Sequence, residues 1–183
     1  MPARAEASDR LPIDLPEARV LRRLRVEDLA AFQAYRAEPE LGRYQGWVPM
    51  SDADAAGFIA RMQDAPLFQP GEWCQLGIAD SDGRLIGDIG LCLAEDAGHV
   101  EIGFTLASAW QGRGIASAAV RAAVALSFAA TPVPFLLAVA DERNAASLRL
   151  LARLGFREIG QRPSESHGEA CVERVHVLER DLA

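Results

Sequence analysis

The feature that constrains the fold most is a change of pattern in the middle of the chain. Between residues 72 and 106 the sequence predicts three successive strands, and an Asp-Gly pair at 82–83 between two apolar runs is a strong hairpin signal. Beyond residue 113 come a long helix, a short strand and a short helix. A helical connection between two neighbouring strands implies that they are parallel. We therefore expect an antiparallel meander joined to one parallel strand pair.

The predicted elements describe one mixed α/β domain. Strands are expected at 20–24, 72–80, 84–94, 99–106, 135–140, 156–161 and 170–178, and helices at 26–36, 52–63, 114–130 and 144–154. This gives a mostly antiparallel sheet of about seven strands flanked by about four helices. Residues 1–15 are expected to be an N-terminal tail and 16–183 a single domain, since 183 residues suit one domain. The tail has no apolar run of signal length, which favours a cytoplasmic protein without a membrane anchor.

The charged residues exclude several classes of enzyme. All 19 basic residues are arginine, so the chain has no lysine for a Walker A phosphate loop or for a Schiff base. The net charge of −7 and the pI near 5.0 disfavour a nucleic-acid partner, whose phosphates need a basic face. Any anionic ligand must therefore be bound by a local arrangement of groups.

The three cysteines and three histidines stand apart along the chain, without the spacing of metal ligands. An odd number of isolated cysteines in a domain of this size indicates reduced thiols in a cytosolic protein. We expect neither a disulfide framework nor a bound metal.

A glycine-rich turn connects the last strand of the meander to the long helix. Its sequence is Trp110-Gln111-Gly112-Arg113-Gly114-Ile115-Ala116-Ser117. Amides at a helix start have no intrahelical partner and lie at the positive end of the helix dipole, so such a turn can bind phosphate oxygens without a lysine. Taken alone, the same glycines also fit a plain tight turn.

A dinucleotide-binding fingerprint is one alternative for this turn. Residues 112–117 satisfy the first two glycines of Gly-x-Gly-x-x-Gly, but Ser117 stands at the third position. The fingerprint also belongs to the first βα unit of a parallel sheet, whereas here three antiparallel strands come first. A nicotinamide-dependent oxidoreductase is therefore kept only as a competing interpretation.

The turn resembles the acetyl-CoA signature of the GNAT N-acetyltransferase superfamily, (Gln/Arg)-x-x-Gly-x-(Gly/Ala), which Gln111, Gly114 and Ala116 match. The surrounding order is also similar to the RimJ/RimL branch, which acetylates the N-termini of ribosomal proteins and related amines. The matching segments are Glu101-Ile102-Gly103-Phe104, Asn144-x-x-Ser147 and Leu154-Gly155-Phe156. The resemblance covers roughly residues 20–181, and its motifs lie within 101–156.

The resemblance implies a twisted mixed sheet whose parallel strands, around Phe104 and Leu137, splay apart to admit the pantetheine arm of acetyl-CoA. Gly103 inside an apolar strand suits a bulge that would start this splay. The cofactor residues that the resemblance implies are Phe104, Thr105 and Leu106 on pantetheine, Gln111, Gly112, Arg113, Gly114, Ile115, Ala116 and Ser117 on the pyrophosphate, and Asn144 and Ser147 beside them.

Two glutamates are candidates for the general base that acetyl transfer to an amine requires. Glu101 alternates with the apolar residues of its strand, so it can face a cleft, and the resemblance places the base at this position. Glu173 is the second candidate, with an ion pair to an arginine as its structural alternative. Many family members use a tyrosine to protonate the thiolate, but Tyr35 and Tyr44 lie far upstream, which leaves Ser147 or water.

The acceptor is expected to bind between residues 41–49, the helix after them, and the loop 162–169. Acidic residues there favour a cationic amine, and Trp47 either lines the acceptor pocket or anchors its loop. The acidic candidates are Asp52, Asp54, Glu165 and Glu169.

We expect an N-acetyltransferase, monomeric or homodimeric, in which a peptide α-amine attacks acetyl-CoA directly in a ternary complex. The alternatives are a catalytically silent acyl-CoA-binding relative and an enzyme for small amines such as polyamines or antibiotics.

Overall fold

The computed structural model describes residues 10–45 and 47–180, which form one sheet with helices on its faces. The strands are β1 Ile13–Leu15, β2 Arg19–Arg23, β3 Trp73–Ala79, β4 Leu85–Leu93, β5 Val100–Leu106, β6 Phe135–Asp141, β7 Arg157–Ser166 and β8 Glu169–Glu179. The helices are α1 Leu29–Arg36, α2 Pro39–Gly42, α3 Asp52–Asp64, α4 Ile115–Ala130 and α5 Ala145–Arg153. Short 3₁₀ helices occur at Val26–Asp28 and Ser108–Trp110.

The sheet has the strand order β1-β2-β3-β4-β5-β6-β8-β7, and its neighbouring strands are antiparallel except β5 and β6. These two parallel strands pair only at Val100 with Leu136 and at Glu101 with Leu137. Beyond Glu101 they separate and leave a gap between them. The predicted mixed sheet with a splayed parallel pair is therefore confirmed.

Three details differ from the sequence-based expectations. The described part of the sheet has eight strands, because Ile13–Leu15, assigned to the tail, pairs with β2. Residues 39–42 form the short helix α2, which brings the number of α-helices within the described residues to five. The expected bulge at Gly103 is wrong, because β4 and β5 stay in continuous register through the pair Gly90–Gly103. The splay begins instead where β6 leaves β5.

Helix α4 crosses from β5 to β6 and fixes the position of the glycine-rich turn. Its core-facing side includes Ala119, Val120 and Ala123, all fully buried. Alanines on that side let the helix axis lie close to the sheet, and burial of apolar surface stabilises the contact. The N-terminus of α4 is thereby held at the mouth of the gap between β5 and β6.

A buried polar cluster ties the loop after α2 to the sheet. Asp88 on β4 accepts hydrogen bonds from Tyr35 and from Arg36, whose Nη2 lies 3.3 Å from Asp88 Oδ2. The Arg36 guanidinium lies between the rings of Phe32 and Trp47, 4.3 Å from each centroid. Burial raises the pKa of Asp88, and Arg36 opposes that shift. Of the two alternatives for Trp47, the structure favours the loop anchor.

Asp88→Asn is expected to lower the free energy of unfolding by about 3–5 kcal/mol, because it leaves the Arg36 guanidinium buried without a counter-charge. Urea denaturation measures this as a lower transition midpoint at unchanged slope. Asp82→Asn, on an exposed turn residue, is the control and should change stability by less than about 0.5 kcal/mol. A loss below about 1 kcal/mol for Asp88→Asn would contradict the assignment.

Candidate active site

A cavity of about 690 Å³ lies between the glycine-rich turn and one face of α5. The end of β5 and residues 40–45 complete its wall. The predicted cofactor residues that line it are Phe104, Thr105, Leu106, Gln111, Gly112, Gly114, Ile115, Ala116, Ser117, Asn144 and Ser147. Arg113 does not line it, and its guanidinium lies 5.3 Å from the centroid of the Trp110 ring. We call this space the first cavity.

The backbone of the turn shows why glycine stands at two of its positions. Gly112 and Gly114 have φ angles of +75° and +76°, a left-handed conformation that residues with a side chain rarely adopt. A Cβ at either position would meet no atom within 4 Å, so the space above the turn is open. The Gln111 side chain donates to the Leu106 carbonyl at 2.9 Å and fastens the turn to the end of β5.

The start of α4 offers unused donors to this open space. The Ala118 amide donates to the Gly114 carbonyl at 3.0 Å, which is the first hydrogen bond of the helix. The amides of residues 115–117 precede it and therefore have no intrahelical acceptor. They lie at the positive end of the helix dipole, where a phosphate is stabilised. The turn thus fits the pyrophosphate of acetyl-CoA.

Asn144 caps helix α5 on the opposite wall of the first cavity. Its Oδ1 accepts a hydrogen bond from the Ser147 amide at 3.1 Å. Both residues also line the cavity. Within the described residues, neither the Asn144 side-chain amide nor the Ser147 hydroxyl has a protein hydrogen-bond partner, so both can serve a ligand.

A second cavity, of about 310 Å³, is lined by residues of both strands that border the gap, β5 and β6, and by residues of β7 and β8. Glu101 and Gly103 line it from β5, Asp141 from β6 and Glu173 from β8. Gly103 keeps this space open, because a Cβ there would meet no atom within 4 Å. The predicted direction of Glu101, toward a cleft, therefore agrees with its placement. Tyr44 and Gln45 line both cavities, so the two spaces are neighbours.

The carboxylates of the second cavity differ in their partners. Burial raises the pKa of Glu101, Arg162 and His99 oppose the shift, and Glu173 adds to it. Glu173 is bound to Arg162, with Nε 2.7 Å from Oε2, which is the ion pair that was its structural alternative. Asp141 is held by Arg143 at 2.7 Å, which lowers its pKa. The pKa values of Glu101 and Asp141 are thus shifted in opposite directions.

The acceptor side departs from the sequence-based expectation in several residues. Glu165 lines the second cavity. Asp52, Asp54 and Glu169 line neither cavity. Tyr44, set aside as too far upstream, lines both. No short-range pattern signals this placement, because 57 residues separate Tyr44 from Glu101 along the chain.

His167 joins two segments that are far apart in the sequence. Its Nε2 lies 2.9 Å from the Gly42 carbonyl oxygen and 3.0 Å from that of Gln45. Both partners are acceptors, so Nε2 carries the proton and donates. The bond connects the turn between β7 and β8 to the loop that carries Tyr44. Sequence reasoning did not find this contact, which spans more than 120 residues.

Two features are absent from the part of the chain that the structure describes. Within residues 10–45 and 47–180, no group of three or more His, Cys, Asp or Glu side chains could hold a metal ion. In the same part of the chain, no helix is long and apolar enough to cross a membrane.

Comparison with known proteins places the chain in a family. The model of the acetyltransferase (GNAT) domain matches residues 19–157. The chain belongs to the GNAT acetyltransferase family. This GNAT protein is 32% identical to the uncharacterized N-acetyltransferase YoaA of Bacillus subtilis (strain 168) over 152 residues, which cover 81% of the chain and 85% of YoaA.

Solved structures confirm the fold of this GNAT protein. Mycobacterium smegmatis RimJ in complex with CoA-disulfide superposes with a TM-score of 0.74 at 23% identity, covering 92% of this chain and 85% of RimJ. The ribosomal L7/L12 α-N-protein acetyltransferase RimL in complex with coenzyme A gives a TM-score of 0.80 at 15% identity, covering 94% and 99%. The expected mixed GNAT fold and its acetyl-CoA co-substrate are confirmed. The chain is an acetyl-CoA-dependent N-acyltransferase, and the oxidoreductase interpretation is wrong.

Proposed function

We propose that this enzyme acetylates the α-amine of a peptide N-terminus, with Glu101 as the general base. The observation that carries the proposal is that a cavity suited to acetyl-CoA and a cavity containing Glu101 adjoin at the gap between β5 and β6. An amine in the second cavity can reach the thioester through this gap. Direct attack in a ternary complex follows, without a covalent enzyme intermediate.

The first cavity would bind acetyl-CoA, which supplies the activated acetyl group as a thioester. The unpaired edge of β5 beyond Glu101 would pair with the pantetheine arm, since β6 leaves that edge free. The amides at the start of α4 would hold the pyrophosphate, and Asn144 would approach the arm from α5. These contacts orient the acetyl carbon toward the gap and restrict its motion.

Glu101, in the second cavity, would accept a proton from the acceptor amine. An ammonium group has no lone pair, so it must lose a proton before or during attack on the carbonyl carbon. Burial raises the pKa of Glu101 and so makes it a better proton acceptor near neutral pH. Arg162 forms an ion pair with Glu173, so the Glu173 carboxylate is less available as the proton acceptor.

The leaving thiolate needs little assistance, because a free thiol has a pKa of about 8.5. Ser147 lines the first cavity and remains the proposed proton donor, with water as the alternative. Tyr44 is an additional candidate, because its placement on both cavities brings a phenol to the gap.

An α-amine acceptor is favoured by proton arithmetic. An α-amino group has a pKa of about 7.7–8.0 and a lysine side chain about 10.4, so their neutral fractions near pH 7 differ by more than 10². The carboxylates of the second cavity attract any cationic amine and do not discriminate between the two. Deprotonation of the α-amine costs less free energy near pH 7 than deprotonation of a lysine side chain. A single glutamate base therefore suffices more easily for the α-amine.

The test compares two peptides of equal length that differ in which amine is free. One has a free N-terminus and no lysine, and the other is N-terminally blocked and carries one lysine. We expect kcat/KM for the free N-terminus to be higher by about 10²-fold, measured by thiol release from acetyl-CoA. A better rate with the blocked peptide, or with spermidine, would show a side-chain or small-amine acetyltransferase. Acetyl-CoA binding without thiol release for any amine would show a catalytically silent relative.

A further inference from the structure

Two arginines of α5 line the wall of the first cavity. Arg149 and Arg153 are four residues apart, so they project from the same face of the helix. Ala146 and Leu150 line the cavity from the same helix. Both arginines are exposed, and neither has an ion-pair or hydrogen-bond partner among the described residues.

This lack of partners is unusual in the surroundings of α5. The neighbouring arginines are paired: Arg143 with Asp141 at 2.7 Å, Arg157 with Glu179 at 3.1 Å and Arg174 with Glu158 at 2.9 Å. The whole chain carries a net charge of −7, so carboxylates are abundant. Two cations that share one cavity wall without a carboxylate partner form a local site for an anion.

The chemistry of the co-substrate indicates which anion. Coenzyme A carries, in order from its thiol, the pantetheine arm, a pyrophosphate and a ribose with a 3′-phosphate. The first cavity is lined by the end of β5, the glycine-rich turn and the two arginines. The first two suit the pantetheine arm and the pyrophosphate, which leaves the arginines for the remaining anionic group of coenzyme A, its 3′-phosphate. Arg153 lies nine residues beyond Asn144, about 14 Å along the helix axis.

We propose that Arg149 and Arg153 bind the 3′-phosphate of coenzyme A and make the enzyme discriminate coenzyme A from its dephosphorylated form. This inference rests on the acetyl-CoA site of the proposed function. Arginine suits the role, because its planar fork donates two hydrogen bonds to one phosphate and two such forks can hold its remaining oxygens. The pyrophosphate is left to the backbone amides.

The test measures dissociation constants of CoA and 3′-dephospho-CoA by isothermal titration at low salt. The wild type should bind CoA more tightly by about tenfold or more, because two charge-assisted contacts are available only to the 3′-phosphate. The double variant Arg149→Gln/Arg153→Gln should bind dephospho-CoA as the wild type does and should bind CoA no more tightly than dephospho-CoA. The single variants should each retain part of the preference.

The matched control is Arg84→Gln/Arg121→Gln, which removes the same charge from two exposed arginines outside both cavities. It should keep the wild-type preference. Equal binding of both ligands by the wild type would overturn the proposal, as would a preference retained in Arg149→Gln/Arg153→Gln. Parallel weakening of both ligands in that variant would assign the arginines to the pyrophosphate and would overturn it too. A wild type that binds neither ligand would instead contradict the acetyl-CoA site itself.

Discussion

Glu101→Gln is expected to lower kcat for acetyl transfer at neutral pH by about 10²-fold, because it keeps the shape of the side chain and removes its basicity. KM for acetyl-CoA should stay close to the wild-type value, since Glu101 lines the second cavity and not the first. The pH profile of kcat/KM should lose the acidic limb that belongs to Glu101 and keep the one that belongs to deprotonation of the acceptor amine. In the wild type the Glu101 limb should lie above the ordinary glutamate pKa of 4.5, because burial raises the pKa of Glu101.

Stability provides the control for this variant. Burial makes Glu101 harder to ionise in the folded chain, so the folded state loses stability as the pH rises through the raised pKa. Glutamine removes that cost, and Glu101→Gln should unfold no more easily than the wild type at pH 7. Glu165→Gln, in the same cavity, is the matched charge control and should raise KM for the amine while kcat stays close to the wild-type value. A kcat within about threefold of wild type for Glu101→Gln would assign the base elsewhere, with Glu173 tested next.

Gly114→Val is expected to reduce the affinity for acetyl-CoA by at least about 10²-fold. A branched side chain at a φ of +76° strains the turn, and it fills the open space above the amides that would hold the pyrophosphate. Isothermal titration with acetyl-CoA measures the affinity directly. Arg113→Ala should weaken binding only modestly, because Arg113 does not line the first cavity.

Gly83→Val is the control that separates the effect of backbone strain in a turn from loss of the acetyl-CoA site. Gly83 has a φ of +80° with no atom within 4 Å of an added Cβ, and it lies in the turn between β3 and β4. The two variants should lose a similar amount of stability, about 1–2 kcal/mol, while only Gly114→Val loses acetyl-CoA. If a folded Gly114→Val protein bound acetyl-CoA with unchanged affinity, the assignment of the pyrophosphate to this turn would be wrong.

The parts of the site that the sequence predicts are those formed by consecutive residues. The turn 111–117 combines a strand end, two glycines and a helix start within a few residues, so local geometry alone determines where its amides lie. Asn144 is similar, because a helix cap depends only on the next three residues. The parallel pair follows from the helical crossover, whereas its splay is implied by the resemblance to the GNAT family.

The parts that the sequence does not predict depend on distant contacts. Tyr44 and His167 reach the site through folding of segments far apart in the chain, and neither carries a local signal. Strand β1 has only three residues, too few for an alternating pattern to identify. The bulge expected at Gly103 illustrates an ambiguity of glycine, which also occurs where a strand borders open space.

The two-residue pairing between β5 and β6 also affects how the protein resists unfolding. The sheet consists of a five-stranded ladder, β1 to β5, and a three-stranded ladder, β6, β8 and β7, that share only two pairs of residues. Hydrogen bonding between the ladders is therefore weakest where the thioester would lie. A molecule of acetyl-CoA in the gap would contact β5 on one side and α5 on the other and so connect the two ladders. Its binding free energy then adds to the free energy of unfolding, and the two ladders unfold most cooperatively when acetyl-CoA is bound.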